Sequence, residues 1–391
     1  MAVYLDYNAT APVYPDVIAR MQALLAVPSN PSSAHRFGRD AKKHLEDARK
    51  IIAAAISAWP NEIIFTASGT EANAMALRGF AGRRLLVSAV EHSSVLSALS
   101  HRERGGASRG EGASMPGMSE GRLPHPNPLP EGEGMIPVGV DGIVNLAALD
   151  AMLASGQPAL VSVMLGNNET GIIQPVAEVA ALCKKYQALF HCDAVQGLGK
   201  IAVDFGAIGA DMMTVSAHKC GGPLGAAALV VRRDLAVTPL LRGGGQELGR
   251  RAGTENIAAI AGFALAVEKG YGSMAELRRW LDALEAEAVA AGGTVVGGSS
   301  PRLPNTSCIA MPGVSSEVQL MDFDLKGFAV SAGSACSSGR IEVSHVLAAM
   351  GVEKDIAACA IRVSGGWHTT QGEVLAFGQA WKKLRGRLGK K

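Results

Sequence analysis

Apolar and polar positions divide the chain into two kinds of stretch. Residues 38–58 carry Ala41, Leu45, Ala48, Ile52 and Ile56 near one helical face, which predicts an amphipathic helix. Short apolar runs recur at 62–66, 85–87, 159–164, 188–191, 212–215 and 226–231 and read as buried strands. Helical stretches separate several of them, one starting at Glu71 and another covering 176–186. This alternation predicts an α/β fold around a largely parallel sheet. Past residue 255 the pattern changes. Two helical stretches, 255–269 and 274–291, lead to short strands near 294–297 and 306–311 and a last helix near 371–386. That part reads as a smaller α+β C-terminal domain.

Residues 101–135 break the pattern. They are rich in Gly, Pro, Ser and charge and contain no aromatic or β-branched residue. His125-Pro126-Asn127-Pro128-Leu129-Pro130 cannot continue a helix or a central strand. Such a composition buries too little apolar surface to offset its ordering entropy, so the segment is expected to be a disordered surface insertion.

Composition narrows the class. The 391 residues suffice for two domains. With 37 basic and 35 acidic residues the net charge is +2, which gives no argument for nucleic acid or an acidic partner. No apolar run reaches membrane-span length, and the N-terminal residues lack the pattern of a signal peptide, so a cytoplasmic protein is expected. The six cysteines form no Cys-x-x-Cys pair, which argues against structural zinc and a redox dithiol. Most are expected to be buried free thiols.

Chemistry concentrates just past the strands. Ser216-Ala217-His218-Lys219 follows the run at 212–215 and precedes a Gly-Gly-Pro turn. Ligands of open α/β sheets sit beyond the carboxyl ends of strands. A lysine there can form an imine with an aldehyde cofactor if its pKa is lowered. Alone, the stretch fits a solvated loop lysine better. Asp193 ends another run and fits either a partner for a protonated heteroaromatic nitrogen or a helix N-cap. Ser68-Gly69-Thr70, between a strand and a helix, fits a phosphate site or a plain cap. Asn167-Asn168 suggests polar recognition or a turn. His92 fits ring stacking, proton shuttling or a structural histidine. From Ser331 to Gly339 small residues surround one thiol, Cys336, either as a flexible arm for a thiolate or as a turn with an incidental cysteine.

Taken together, these motifs resemble the cysteine desulfurases of the aminotransferase class V superfamily, which are fold-type I pyridoxal 5'-phosphate (PLP) enzymes. The matching stretches are Tyr4-Leu5-Asp6-Tyr7-Asn8-Ala9-Thr10, Asn30-Pro31-Ser32-Ser33-Ala34-His35, 65–73, Glu91-His92-Ser93-Ser94-Val95, 167–171, 191–196, 216–219, 243–256 and 331–339. They run in family order over nearly the whole chain except 101–135. The surroundings of Cys336 and the following Ser344-His345-Val346-Leu347 look like the subgroup that serves iron–sulfur cluster assembly.

The resemblance implies a fold-type I transferase, with a large PLP-binding domain over 13–255 and a small domain formed by 1–12 and 256–391. It also implies roles. Lys219 would hold PLP covalently and move protons. Asp193 would pair with the pyridinium nitrogen, His92 would stack on the ring, and Asn168 and Gln196 would bond the ring oxygen. Gly69, Thr70, Ser216 and His218 would hold the phosphate, with Thr254 contributed by the other subunit of a homodimer. Arg362 would grip the carboxylate of the substrate, L-cysteine, with Asn168 also binding the substrate. Cys336 would take the sulfur as a persulfide for an acceptor such as an iron–sulfur scaffold protein, where it could act as a transient iron–sulfur ligand. Cys220, directly after the lysine, and Gly365-Gly366, shortly after the arginine, depart from the usual pattern. A selenocysteine lyase or a class V aminotransferase is the nearest other enzyme, and a non-catalytic scaffold is the alternative of a different kind.

Overall fold

The computed structural model describes residues 2–80, 82–102, 134–270, 272, 274–333 and 344–389. The elements run β1 (Val3–Tyr4), α1 (Pro15–Leu25), α2 (Arg36–Ala55), β2 (Ile63–Thr66), α3 (Gly69–Arg78), β3 (Arg84–Ser88), α4 (Ser93–Arg102), β4 (Gly134–Ile136), α5 (Leu146–Leu153), β5 (Ala159–Met164), α6 (Val176–Lys185), β6 (Leu189–Asp193), α7 (Phe205–Ile208), β7 (Met212–Ser216) and β8 (Ala227–Val231). They continue α8 (Ile257–Lys269), α9 (Met274–Ala290), β9 (Thr294–Val295), β10 (Thr306–Ala310), α10 (Ser316–Leu325), β11 (Phe328–Ala329), α11 (His345–Ala349), α12 (Lys354–Ala357), β12 (Ala360–Ser364) and α13 (Gln371–Leu388).

Seven strands form the main sheet in the order β2-β8-β7-β6-β5-β3-β4. The pairs among β7, β6, β5, β3 and β4 are parallel. β5, β6 and β7 are buried throughout and mostly apolar, as a sheet covered by helices on either side requires. β8 runs antiparallel to both β7 and β2. The turn after Lys219 returns the chain directly, without the helical crossover that a parallel neighbour needs.

A second core lies beyond the sheet. β12, β10 and β9 form an antiparallel sheet, against which Leu277, Leu281 and Leu284 of α9 pack with Phe377, Trp381 and Leu384 of α13. Leu5 belongs to this core, because β1 pairs in parallel with β11.

The packing departs from the sequence reading in two places. α8 belongs with residues 13–255 rather than with the rest of 256–391. Ile257, Ile260 and Phe263 sit in the same core as α1 and α2, and the helix is apolar nearly all round, which fits burial between them. The second difference is the set β1, α1, α5, α7, α10, β11, α11, α12 and β12, which the apolar pattern did not predict, with β4, whose Gly134 and Met135 fall in the expected insertion. Arg362 interrupts the short apolar run of β12. The expected insertion, 101–135, falls almost wholly outside the described residues. Among the described residues no helix is long and apolar enough to cross a membrane.

Candidate active site

Parallel strands end side by side, so residues that follow them converge. Met164 of β5 lies opposite Asp193 of β6, which lies opposite Thr214 of β7. The ends of these strands deliver Asn168, Asp193 and the Ser216–Lys219 turn to one edge of the sheet.

Lys219 Nζ donates to the carbonyl oxygens of Asn8, at 2.6 Å, and Ala9, at 2.7 Å. Burial, and then the Arg362 cation, push its pKa down to about 8. The amine can therefore hold or release a proton near neutrality. His218 is held at about 4, chiefly by burial and then by the Lys219 cation, so its ring is neutral.

Asp193 is buried. Its Oδ1 accepts from Val195 N at 3.0 Å and its Oδ2 from Asn73 Nδ2 at 2.8 Å. Asn73 also donates to Ser94 Oγ at 3.0 Å, and that hydroxyl meets His92 Nδ1 at 2.8 Å. The chain Asp193–Asn73–Ser94–His92 orients the carboxylate and the imidazole together, with His92 open to solvent.

α3 starts at Gly69, where Ser68 Oγ accepts from Glu71 N at 3.1 Å and so serves as the N-cap. The first N–H groups of a helix have no intrahelical acceptor, so those of Gly69 and Thr70 face outward from the helix end. Gly69 lies against β6 and β7. A Cβ there would stand 3.3 Å from Val195 Cγ2 and 3.8 Å from Ser216 Cβ. The Ser216 hydroxyl, close by, is buried and has no hydrogen-bond partner among the described residues.

Arg362 comes from β12, on the other core. Nη2 meets Asp6 Oδ1 at 2.5 Å and Nη1 donates to the Asn168 carbonyl at 3.1 Å, while Nε is buried without a partner among the described residues. Arg362 also exchanges backbone hydrogen bonds with Ser331, five residues before Cys336 in the sequence. Cys336 itself lies outside the described residues. The five described cysteines, Cys183, Cys192, Cys220, Cys308 and Cys359, are buried free thiols. Cys220 Sγ is turned to the Ala217 carbonyl at 3.2 Å, and burial pushes its pKa to about 12.

Lys219, His218, Asp193, Gln196, Asn168, Ser216, Gly69, His92 and Arg362 thus surround one region. Thr70 sits exposed on the first turn of α3, and Thr254 is exposed and makes no hydrogen bond to these groups among the described residues. Sequence reasoning gave Asn8 no role, yet it is the hub. Its carbonyl accepts from Lys219 and Gln196, its Nδ2 donates to Asn168 O and Thr306 Oγ1, and its N–H donates to Ser364 Oγ. Asn73 and Asp6 were likewise passed over. A polar residue among the apolar Ala72, Met75 and Ala76 of α3 was the available signal for Asn73.

The chain resembles known proteins over nearly its full length. The aminotransferase class-V family model matches residues 3–108 and 134–377. A cysteine desulfurase IscS of Dictyoglomus turgidum is 38% identical over 383 residues, covering 94% of this chain and 91% of that protein. An IscS-like cysteine desulfurase of Mycobacterium tuberculosis is 36% identical over 392 residues, covering 95% and 93%. The X-ray structure of a NifS-like protein from Rickettsia africae superposes with a TM-score of 0.85 at 34% identity, covering 99% of this chain and all of that one. The chain belongs to the aminotransferase class-V family, and its α/β architecture is that of the fold-type I transferases.

Proposed function

We propose that this protein is a PLP-dependent cysteine desulfurase that converts L-cysteine to L-alanine and passes the sulfur, as a persulfide on Cys336, to an acceptor for iron–sulfur cluster assembly. One observation carries the reading. A lysine amine with a pKa of about 8 stands among a buried carboxylate, Asp193, and a guanidinium with an unused donor, Arg362. The names of the curated relatives support the same activity.

The residues present fit PLP. The unpartnered Ser216 hydroxyl, the first turn of α3 and the close approach at Gly69 suit a phosphate, with Thr70 and His218 beside them. Asp193 suits a protonated ring nitrogen, His92 a ring face, and Gln196 and Asn168 a ring oxygen. Lys219 suits covalent attachment. When bound, PLP supplies an electron sink for charge developed at the α-carbon of the substrate.

The side chains do the rest. The partnerless Nε of Arg362 orients the carboxylate of cysteine. Lys219 moves protons at the α-carbon. The Cys336 thiolate attacks the sulfur of the substrate. The Cβ–S bond breaks, the Cβ carbon gains a proton, and the sulfur remains on Cys336, so no external oxidant is needed. The protein acts as a cytoplasmic homodimer in this reading, with Thr254 entering the site of the other subunit.

The test is to incubate purified protein with L-cysteine and a reductant and to measure sulfide and alanine together. Equal amounts are expected, and Cys336→Ala should abolish both. Full turnover by Cys336→Ala would favour an aminotransferase, and a colourless protein without either product would favour a scaffold.

A further inference from the structure

The reaction described above leaves one buried amine without a task. Lys200 lies four residues after Gln196 and is only 4% exposed. Its Nζ donates to Asn8 Oδ1 at 2.9 Å and to Gln196 Oε1. No carboxylate pairs with it among the described residues. An ammonium carries three donors and a neutral amine two, and Lys200 has two acceptors. A buried charge without a counterion is far costlier than a neutral amine with both N–H groups satisfied. Burial, and then the Lys219 and Arg362 cations, hold Lys200 well below the usual lysine range. The Cys220 thiol acts weakly the other way.

The two bonds of Lys200 have consequences for its neighbours. With Oε1 taken, Gln196 donates through its amide nitrogen to the Asn8 carbonyl at 3.0 Å, which leaves one N–H without an acceptor among the described residues. The flipped amide would set Oε1 against that carbonyl oxygen. The same carbonyl receives Lys219 Nζ. Asn305 Nδ2 shares Asn8 Oδ1 at 3.0 Å, so the Asn8 side chain would keep one donor without Lys200, whereas Gln196 Oε1 would keep none.

We propose that Lys200 is a positioning residue, an uncharged amine that fixes Gln196 as a hydrogen-bond donor to the cofactor and, through Asn8, seats the Lys219 amine. This rests on the PLP reading above, since the free N–H of Gln196 is the one offered to the ring oxygen.

Two measurements test the inference. In holoenzyme isotope-labelled at lysine Cε and Nζ, NMR reports the charge of Lys200 near neutral pH, assigned through its bonded neighbours. A neutral-amine signal is expected, and an ammonium signal overturns the inference. The second measurement is the rate of PLP release after dilution. Lys200→Met should speed release about tenfold, the cost of one buried acceptor left bare. In a Gln196→Met background the same change should alter it by less than about twofold, because Lys200 acts through that amide. Equal acceleration in both backgrounds overturns the positioning role. The charge of Lys200 can be read in the cofactor-free chain as well, so a charged Lys200 in both forms sinks this inference alone, whereas a purified parent holding no PLP sinks the reading of the site.

Discussion

Arg362 and Asp6 meet at 2.5 Å, and this ion pair commits one end of the guanidinium while Nε stays buried and unpartnered. With Nη1 on the Asn168 carbonyl as well, the arginine is held by two neighbours and keeps Nε for another group. Arg362→Ala should raise KM for L-cysteine at least about tenfold, the loss of a charge-assisted contact to a carboxylate. Steady-state kinetics check this, and an unchanged KM would mean that the carboxylate binds elsewhere. Arg362→Lys should recover little, because an ammonium cannot reproduce the planar fork.

Lys219 gives a pH signature in the cofactor-free chain. Its pKa of about 8 lies below the usual lysine value, so the unfolded chain binds the extra proton between about 8 and 10.5. The penalty for the buried charge is fully present below pH 8 and is relieved as pH rises through that window. Stability should therefore rise there, and Lys219→Met should flatten the rise in urea titrations run across the window. The variant should also lose the yellow colour expected of the purified protein.

His191 acts in the acid range. It is fully buried on β6, with Nδ1 against Ser162 Oγ and Nε2 against Thr214 Oγ1, both at 2.9 Å, and burial lowers its pKa to about 4. The unfolded chain takes up this proton near 6.5, so stability should fall as pH drops from there toward 4. His191→Asn should be less stable at neutral pH and show a shallower acid slope by thermal melting.

The family model passes over residues 109–133. Replacing them with a short Gly/Ser bridge should leave turnover within about threefold of the parent, since closure entropy changes slowly with loop length. Loss of PLP from that variant would tie the segment to the site.

Thiol burial predicts where sulfur can appear. Burial pushes Cys183, Cys220 and Cys308 to about 12 and Cys192 well above the usual thiol range. Protonated and buried, they are poor nucleophiles. After a brief pulse of cysteine, mass spectrometry should find added sulfur on Cys336 alone, and Cys336→Ser should carry none. Added sulfur on Cys220, which adjoins Lys219, would displace that assignment.

The legible parts of the fold were those with a local signature. The runs at 159–164 and 212–215 are apolar because both faces of the sheet are covered, so their composition alone marks them as strands. In β12, Ile361 and Val363 face a core while Arg362 faces the site. That alternation is too brief to stand out around a charge. The site residues that follow strands were legible as candidates, and family motifs gave them roles. Asn8, Asp6 and Lys200 were not, because their meaning lies in partners far away along the chain. Nothing near Lys200 in sequence says that its amine will find Asn8, and only the folded hub does.

That hub also has a place in time. Asp6 and Asn8 emerge from the ribosome first, yet Arg362 and Ser364, their partners, lie 356 residues later. At roughly 5–20 residues per second, the N-terminal strand waits about 20–70 s for the groups that complete its bonds. A nascent chain that has built the seven-stranded sheet and its lysine still lacks the arginine and the serine. Its pocket is unfinished until β12 is made, and cofactor capture is thereby tied to a chain that is nearly whole.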